Sequence, residues 1–427
     1  MIGILAMAFV AFLLTQKLAK ITKLEVQIIY IILGIVIGVI IRGFGYGSLE
    51  KIVPEISTYN SVALLLMFFT AGFSIDLDKL KKSGAVTGRL MTMPAYGELV
   101  IVTILIMAMG GILKGRGFSL GIAEAMMVAA IFATASPANV IPVCMEKISQ
   151  KKNGSNNLPS TMILTTVVDG FITVPVIFAA AFVFITTKNE GHVRNGELVK
   201  LVLIILAGLI CALVIGAIIG KIESVIFRRW FVSIKEKHRG KLTEYLLTII
   251  VFSVGLIIVL GLAHVKKLKI LMTLFGILVV LGIGFGIGKW DKTGTSVIIK
   301  NTGNRLFYVV GMPVIFIYVG ANIDLSVLLD LKLLGLLVII TGVAVLVKGK
   351  IAKIILKDNK YTNSERKFAA RCFIPKGVGL SNFSVIFGAV LGSGEDVVQF
   401  MTMLAAVSIV ITMSVGIGLL SKTDLST

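Results

Sequence analysis

Apolar windows of about 18 to 25 residues recur from one end of this chain to the other, each the length an α-helix needs to cross the hydrocarbon core of a bilayer. In hydrocarbon every backbone N–H and C=O must find its partner within the protein, so such windows fold as helices. They fall near residues 1-16, 24-41, 60-76, 87-112, 122-145, 158-187, 199-222, 243-263, 268-288, 305-322, 331-354, 368-393 and 397-420. Only 15% of the residues are charged and 57% are hydrophobic, where a soluble domain carries about a quarter charged residues. The expected fold is an all-α polytopic membrane protein of about 13 transmembrane helices.

Charge sets the orientation. Lys17, Lys20 and Lys23 follow the first window instead of preceding it, which argues against a cleaved signal peptide. Counted over alternate loops, about 28 Lys and Arg fall on one side and about 11 on the other, a positive-inside bias that puts the N-terminus outside and the C-terminus in the cytoplasm of a multi-pass cell-membrane protein. The net charge of +20 lies in short loops beside the spans, so it suits anionic lipid at the cytoplasmic face, and no nucleic acid is expected. The basic stretch from Lys221 to Lys241 reads as an amphipathic interfacial helix or a loop, and "IFRRWF" with Trp230 as an interfacial anchor favours the helix. Cys144, Cys211 and Cys372 form no disulfide framework, and His192, His238 and His264 have no ligand spacing, so no cofactor is expected. No nucleophile, base and orienting group stand at workable spacing for an enzyme. The chain ends a few residues after the last window, and no soluble regulatory domain is expected there.

An internal match organises the windows. The third ends "FFTAGFSIDLDKL" and the tenth "IFIYVGANIDLSVL", aligning Gly72 with Gly320, Ile75 with Ile323 and Asp76 with Asp324 without gaps. An offset of seven spans is odd, so the two copies face opposite sides of the membrane, which is inverted-repeat topology. The expected organisation is a first six-helix repeat over 1-198, a connector helix with its basic segment over 199-242, and a second six-helix repeat over 243-427. The fifth and twelfth spans then correspond. Both are interrupted, by Pro137 and Pro142 in "ATASPANVIP" and by Pro375, Gly377 and Gly379 in "FIPKGVGLSN". Proline removes a helix hydrogen bond and glycine loosens the backbone, so both spans are expected to unwind near mid-membrane and cross there.

The sixth span holds a carboxylate, Asp169, in a stretch with no other charge between Leu158 and Phe184. A membrane-embedded acid is costly and marks a functional site. Thr165, Thr166 and Thr173 share its helix face, and Thr134, Ser136 and Asn139 add side-chain oxygens from the interrupted fifth span. Oxygen donors around one carboxylate suit Na⁺ or Li⁺, or a proton on the acid itself. The alternative for the threonines is a bond back to their own helix. Glu98 and Lys348 fall inside the fourth and eleventh spans and form an expected ion pair, the alternative being that Lys348, with Lys350, snorkels to the interface. Glu124 sits near an outer helix end, where a solvated acid is expected.

With these motifs in view, the chain resembles the monovalent cation/proton antiporter superfamily, the sodium/hydrogen exchangers, and most closely its NHA-type branch. The resemblance covers nearly the full length. It rests on "TAGFSIDLD", "PAYGE", "ATASPANVIPV", "LPSTMILTTVVDGF" and "SERKFAARCFIPKGVGLSN", in that order. It implies a homodimer of two-domain protomers in which the domain carrying the crossed helices moves like an elevator. It further implies that Asp169 binds the ion and the proton, that Thr134 and Thr165 help coordinate, that Glu98 and Lys348 are the charged pair, and that Lys376 is the motif lysine at the crossover. One departure stands out: the family carries two adjacent polar residues where this chain has "VVDG". Either Asp169 and Gly170 fill the two positions or, with a one-residue slip, Val168 precedes the essential aspartate; one carboxylate remains in both registers. The twelfth span departs too, with "PKGVGLSN" in place of a threonine-valine-glutamine run.

The expected function is exchange of a monovalent cation, Na⁺ first and Li⁺ or K⁺ next, for protons. A single carboxylate that binds one or the other predicts electroneutral 1:1 exchange. Two alternatives share the scaffold: a sodium-coupled symporter of a small organic solute admitted by Gly170, and an ion sensor without turnover.

Overall fold

The computed structural model describes residues 2–172, 207–226, 241–263, 269–376 and 395–425, apart from 76–83, 324–328, 358–360, parts of 151–156 and a few isolated positions. The described residues are mostly helical, with no strand among them. In chain order the main helices are α1 (Ile2–Thr22), α2 (Val26–Gly43), α3 (Ile56–Gly72), α4 (Gly84–Ala108), α5 (Ile122–Phe132), α6 (Pro137–Ser149), α7 (Leu158–Ile172), α8 (Lys241–Ala263), α9 (Lys269–Trp290), α10 (Thr295–Leu306), α11 (Met312–Ala321), α12 (Leu331–Lys357), α13 (Asn363–Cys372) and α14 (Glu395–Ser421). The seventh predicted span is helical at 210–226. Trp230 and most of the basic stretch, the repeat acids Asp76 and Asp324, Thr173, Gly377 and Gly379 lie outside the described residues.

Among the described residues, five helical stretches are long and apolar enough to cross a membrane: Val26–Gly43, Gly84–Ala108, Thr295–Ala321, Leu331–Lys357 and Gln399–Ser421. α4 shows why they need lipid. Its inner face buries Leu90, Ala95, Val102 and Ile106, yet its outer face exposes Met93, Val100, Ile104 and Met107. A helix apolar all round has no water-facing side. The tenth span begins earlier than its hydropathy suggests, at Thr295, and widens into a π turn over Phe307–Gly311. Pro313 follows that turn; it supplies no N–H and its ring crowds the preceding carbonyls, which a wider turn relieves.

One compact unit comprises residues 1–14, 54–76 and 195–315. Its centre is α9, where "GIGFGIG" puts glycine on two faces. Gly284 lies against the backbone of Phe69 in α3, and Gly282 and Gly286 lie against Leu213 and Ala217 of the 210–226 helix. Lipid tails are as apolar as leucine, so helices in a bilayer associate through close packing, and a missing Cβ lets backbones touch.

The other unit comprises residues 15–53, 77–194 and 316–427. It uses the same device between α2 and α11: Gly34 meets Ile317, Gly38 meets Ala321 and Gly320 meets Ile31. Arg42 caps the end of α11 by donating to the carbonyls of Ala321 and Ile323. α4 packs along α12, and α6 along α7. α13 starts with a capping box, the Thr362 hydroxyl accepting from Glu365 N–H while the Glu365 carboxylate accepts from Thr362 N–H. An apolar cluster containing Leu90, Val140, Cys144, Met162, Phe368 and Phe373 fills the space between α4, α6, α7 and α13.

Candidate functional site

The fifth span unwinds over Ala133–Ser136, between α5 and α6, with Pro137 as the first residue of α6. Proline is suited to that position because its missing N–H would have no helix partner there. The twelfth span ends its helix at Cys372 and runs on without helix through Pro375 and Lys376. The two unwound stretches meet: Ser136 N–H donates to the Pro375 carbonyl at 2.9 Å.

Breaking a helix in a dry interior leaves carbonyls at one end and N–H groups at the other without partners. Here charged side chains meet them. At the end of α5, Lys376 Nζ donates to the Phe132 carbonyl at 2.9 Å and Lys348 Nζ to the Ala133 carbonyl. Just ahead of α6, in the unwound stretch, Ala135 N–H donates to Asp169 Oδ2 at 2.9 Å. Cations at a helix C-terminus and an anion at an N-terminus are the favourable arrangement for the two dipoles. The Phe132 and Ala133 carbonyls that the break frees are therefore engaged by ammonium groups.

The same side chains pair with one another. Lys348 Nζ lies 2.7 Å from Asp169 Oδ2 and 3.3 Å from Glu98 Oε2, and Lys376 Nζ lies 2.5 Å from Glu98 Oε1. All four residues are fully buried. Two acids and two lysines give a chain of alternating charge, Asp169–Lys348–Glu98–Lys376, which is neutral as a whole. Each ammonium also sits over an aromatic face, Lys348 on Phe373 at 5.2 Å and Lys376 on Phe132 at 5.0 Å, an attraction to the ring quadrupole. Lys350 is exposed where Lys348 is buried, so Lys348 does not snorkel.

Around the acid, Thr165 and Thr166 are fully buried and Thr134 and Ser136 nearly so. Thr166 bonds back to its own helix, donating to Met162 O at 2.9 Å. Thr165 does not: its Oγ1 and Asp169 Oδ1, four residues apart on α7, are both buried without a hydrogen-bond partner. Asn139 Nδ2 donates to Ser136 Oγ at 2.7 Å. Glu124 stands in the first turn of α5, half-buried and apart from this cluster. Gln27 of α2, which nothing in its sequence surroundings distinguishes, exchanges hydrogen bonds with Asn139.

A family profile described as "Sodium/hydrogen exchanger, transmembrane" matches residues 5–422. The chain belongs to the sodium/hydrogen exchanger family. Among relatives of this exchanger-family chain, a Na(+)/H(+) antiporter of Enterococcus hirae is 24% identical over 348 residues, covering 81% of this chain and 79% of that protein. The solved structure of the sodium proton antiporter MjNhaP1 from Methanocaldococcus jannaschii superimposes with a TM-score of 0.70 at 16% identity, covering 100% of this chain and 99% of that one. At that identity the likeness is one of fold, and it makes this chain a helical membrane protein of antiporter architecture.

Proposed function

We propose that this exchanger-family chain carries a monovalent cation, Na⁺ most readily and Li⁺ or K⁺ in its place, out of the cytoplasm in exchange for a proton, with Asp169 holding either ion in turn. The observation that carries the reading is the state of Asp169: fully buried, one oxygen held by Lys348 and Ala135 N–H, the other without a partner, as is the hydroxyl of Thr165 one turn earlier on α7. A buried acceptor left unpaired costs free energy that a proton or a hard cation recovers. Thr134, Ser136 and Asn139 are the further oxygens of the site.

The electrostatics support a 1:1, electroneutral cycle. A cation or proton arriving at Asp169 weakens the acid's hold on Lys348. That lysine already has Glu98 at 3.3 Å and the Ala133 carbonyl, so it can leave Asp169 and keep its own proton. The cluster then carries the same charge with either ion bound, and the potential does no net work on exchange. The direct Lys348–Asp169 contact at 2.7 Å favours one second reading, in which Lys348 gives up its proton as the cation binds and exchange becomes electrogenic.

Alternating access by an elevator movement of the crossed helices, a homodimer, an outside N-terminus and anionic lipid at the cytoplasmic face complete the proposal. Two six-helix inverted repeats are supported by paired contacts. Gly284 meets Phe69 in one unit and Gly34 meets Ile317 in the other, and Phe69 and Ile317 are equivalent in the match that aligns Gly72 with Gly320. Proton flux into proteoliposomes, followed during Na⁺, Li⁺ and K⁺ pulses, tests the function. The wild type is expected to move protons and Asp169→Asn to lose that movement while remaining folded. A fully active Asp169→Asn would refute the assignment.

A further inference from the structure

Gln27 and Asn139 form a reciprocal amide pair, Gln27 Nε2 donating to Asn139 Oδ1 and Asn139 Nδ2 to Gln27 Oε1, each at 3.4 Å. Both side chains are buried, 5% and 8% exposed. On the inner side, Asn139 Nδ2 also donates to Ser136 Oγ at 2.7 Å and to Met413 Sδ at 3.1 Å, and Ser136 follows Ala135, whose N–H holds Asp169. On the outer side, Gln27 is the second residue of α2, preceded by half-buried Glu25 and exposed Leu24. The pair thus links the start of α2 to the unwound stretch whose Ala135 N–H holds Asp169.

We infer that Gln27 is a cation-selecting residue of the exchange reaction, its amide pairing with Asn139 when no cation is near and turning its carbonyl oxygen to a cation moving between solvent and Asp169. This rests on the antiport reading above. The chemistry follows from the donors. A hard cation shedding water needs oxygen ligands, and side-chain carbonyls supply them. Closed, Gln27 Nε2 donates to Asn139 Oδ1, while Gln27 Oε1 shares the two hydrogens of Asn139 Nδ2 with Ser136 Oγ and Met413 Sδ and is only weakly held. Both bonds lie beyond the usual 2.7–3.2 Å range for N–H···O, so opening forfeits little. A proton on Asp169 has no use for carbonyl ligands, so the pair bears on the cation limb of the cycle alone.

The test compares wild type, Gln27→Leu and Gln27→Glu as full-length chains in proteoliposomes, with initial rates measured against Na⁺ and Li⁺ concentration at fixed pH. Gln27→Leu keeps the volume and removes the oxygen; it is expected to raise the half-saturating Na⁺ concentration about tenfold, change the Na⁺-to-Li⁺ preference, and leave the maximal rate within about twofold. Gln27→Glu keeps an oxygen that can accept from Asn139 and adds charge; it is expected to lower the half-saturating concentration. Unchanged half-saturation and ion preference in an active Gln27→Leu, or a loss confined to the maximal rate, would mean that Gln27 only ties α2 to α6 and would overturn the inference while antiport stands. If Gln27→Leu fails to fold, Gln27→Glu decides, and wild-type half-saturation there overturns the inference. A wild type that moves no protons removes the antiport reading and this inference with it.

Discussion

Asp169, Glu98 and Lys348 are conspicuous in the sequence because the stretches around them are apolar, whereas Lys376 enters only through the family resemblance; what spacing along the chain does not reveal is which charge meets which across helices. Glu98 and Lys348 come together, but Lys348 lies closer to Asp169, and Glu98 is shared with Lys376. Removing one partner from a buried pair leaves an uncompensated charge and costs about 3–5 kcal/mol. Lys348→Ala, which strands Asp169, is expected to lose stability of that order in thermal melts of the detergent-solubilised protein. Adding Asp169→Asn should restore part of it, since the neutral amide no longer needs the ammonium, and losses that simply add would contradict the coupling. The hydroxyls divide as two competing expectations allow, Thr166 bonding back to Met162 and Thr165 staying without a partner one turn before the acid. Periodicity puts both near Asp169 but does not fix a hydroxyl rotor. Gln27 is not marked out by the sequence, because an amide at the predicted edge of a span looks like any interfacial polar residue.

At the scale of elements, proline forecast where backbone would open: α6 begins at Pro137 after the unwound Ala133–Ser136 stretch. The lysines that fill the exposed carbonyls were not forecast, because a helix end can be satisfied from any neighbouring element. Glycines are similar. Their abundance in α2 and α9 was plain, but their partners belong to tertiary packing. Gly284 and Gly34 each face a carbonyl oxygen of a neighbouring helix, where any Cβ would collide, whereas Gly335 of α12 has open space around it. Gly284→Leu and Gly34→Leu are each expected to cost about 1–3 kcal/mol or more in thermal stability. Gly335→Ala should gain about 0.5–1 kcal/mol from better helix propensity. Tolerance of leucine at Gly284 would contradict the close helix contact.

For the whole molecule, hydropathy carries the class of fold, because a bilayer leaves so few ways to satisfy a backbone. It carries less about grouping: each compact unit gathers segments from both sequence halves, which a linear pattern does not display. The proposed homodimer predicts that light scattering on the detergent-solubilised protein gives a protein mass twice the 45.8 kDa of one chain, and a single-chain mass at working concentration would contradict it. The central claim is that one carboxylate, Asp169, exchanges a proton for a cation while Lys348 keeps its own. Its most direct measurement is calorimetric titration of the purified protein with Na⁺ in buffers of different ionisation enthalpy, at a pH where Asp169 is protonated, which counts protons released per cation bound. One proton per Na⁺ in the wild type and none in Asp169→Asn is the predicted result; two protons per Na⁺, or a release that survives Asp169→Asn, would contradict it.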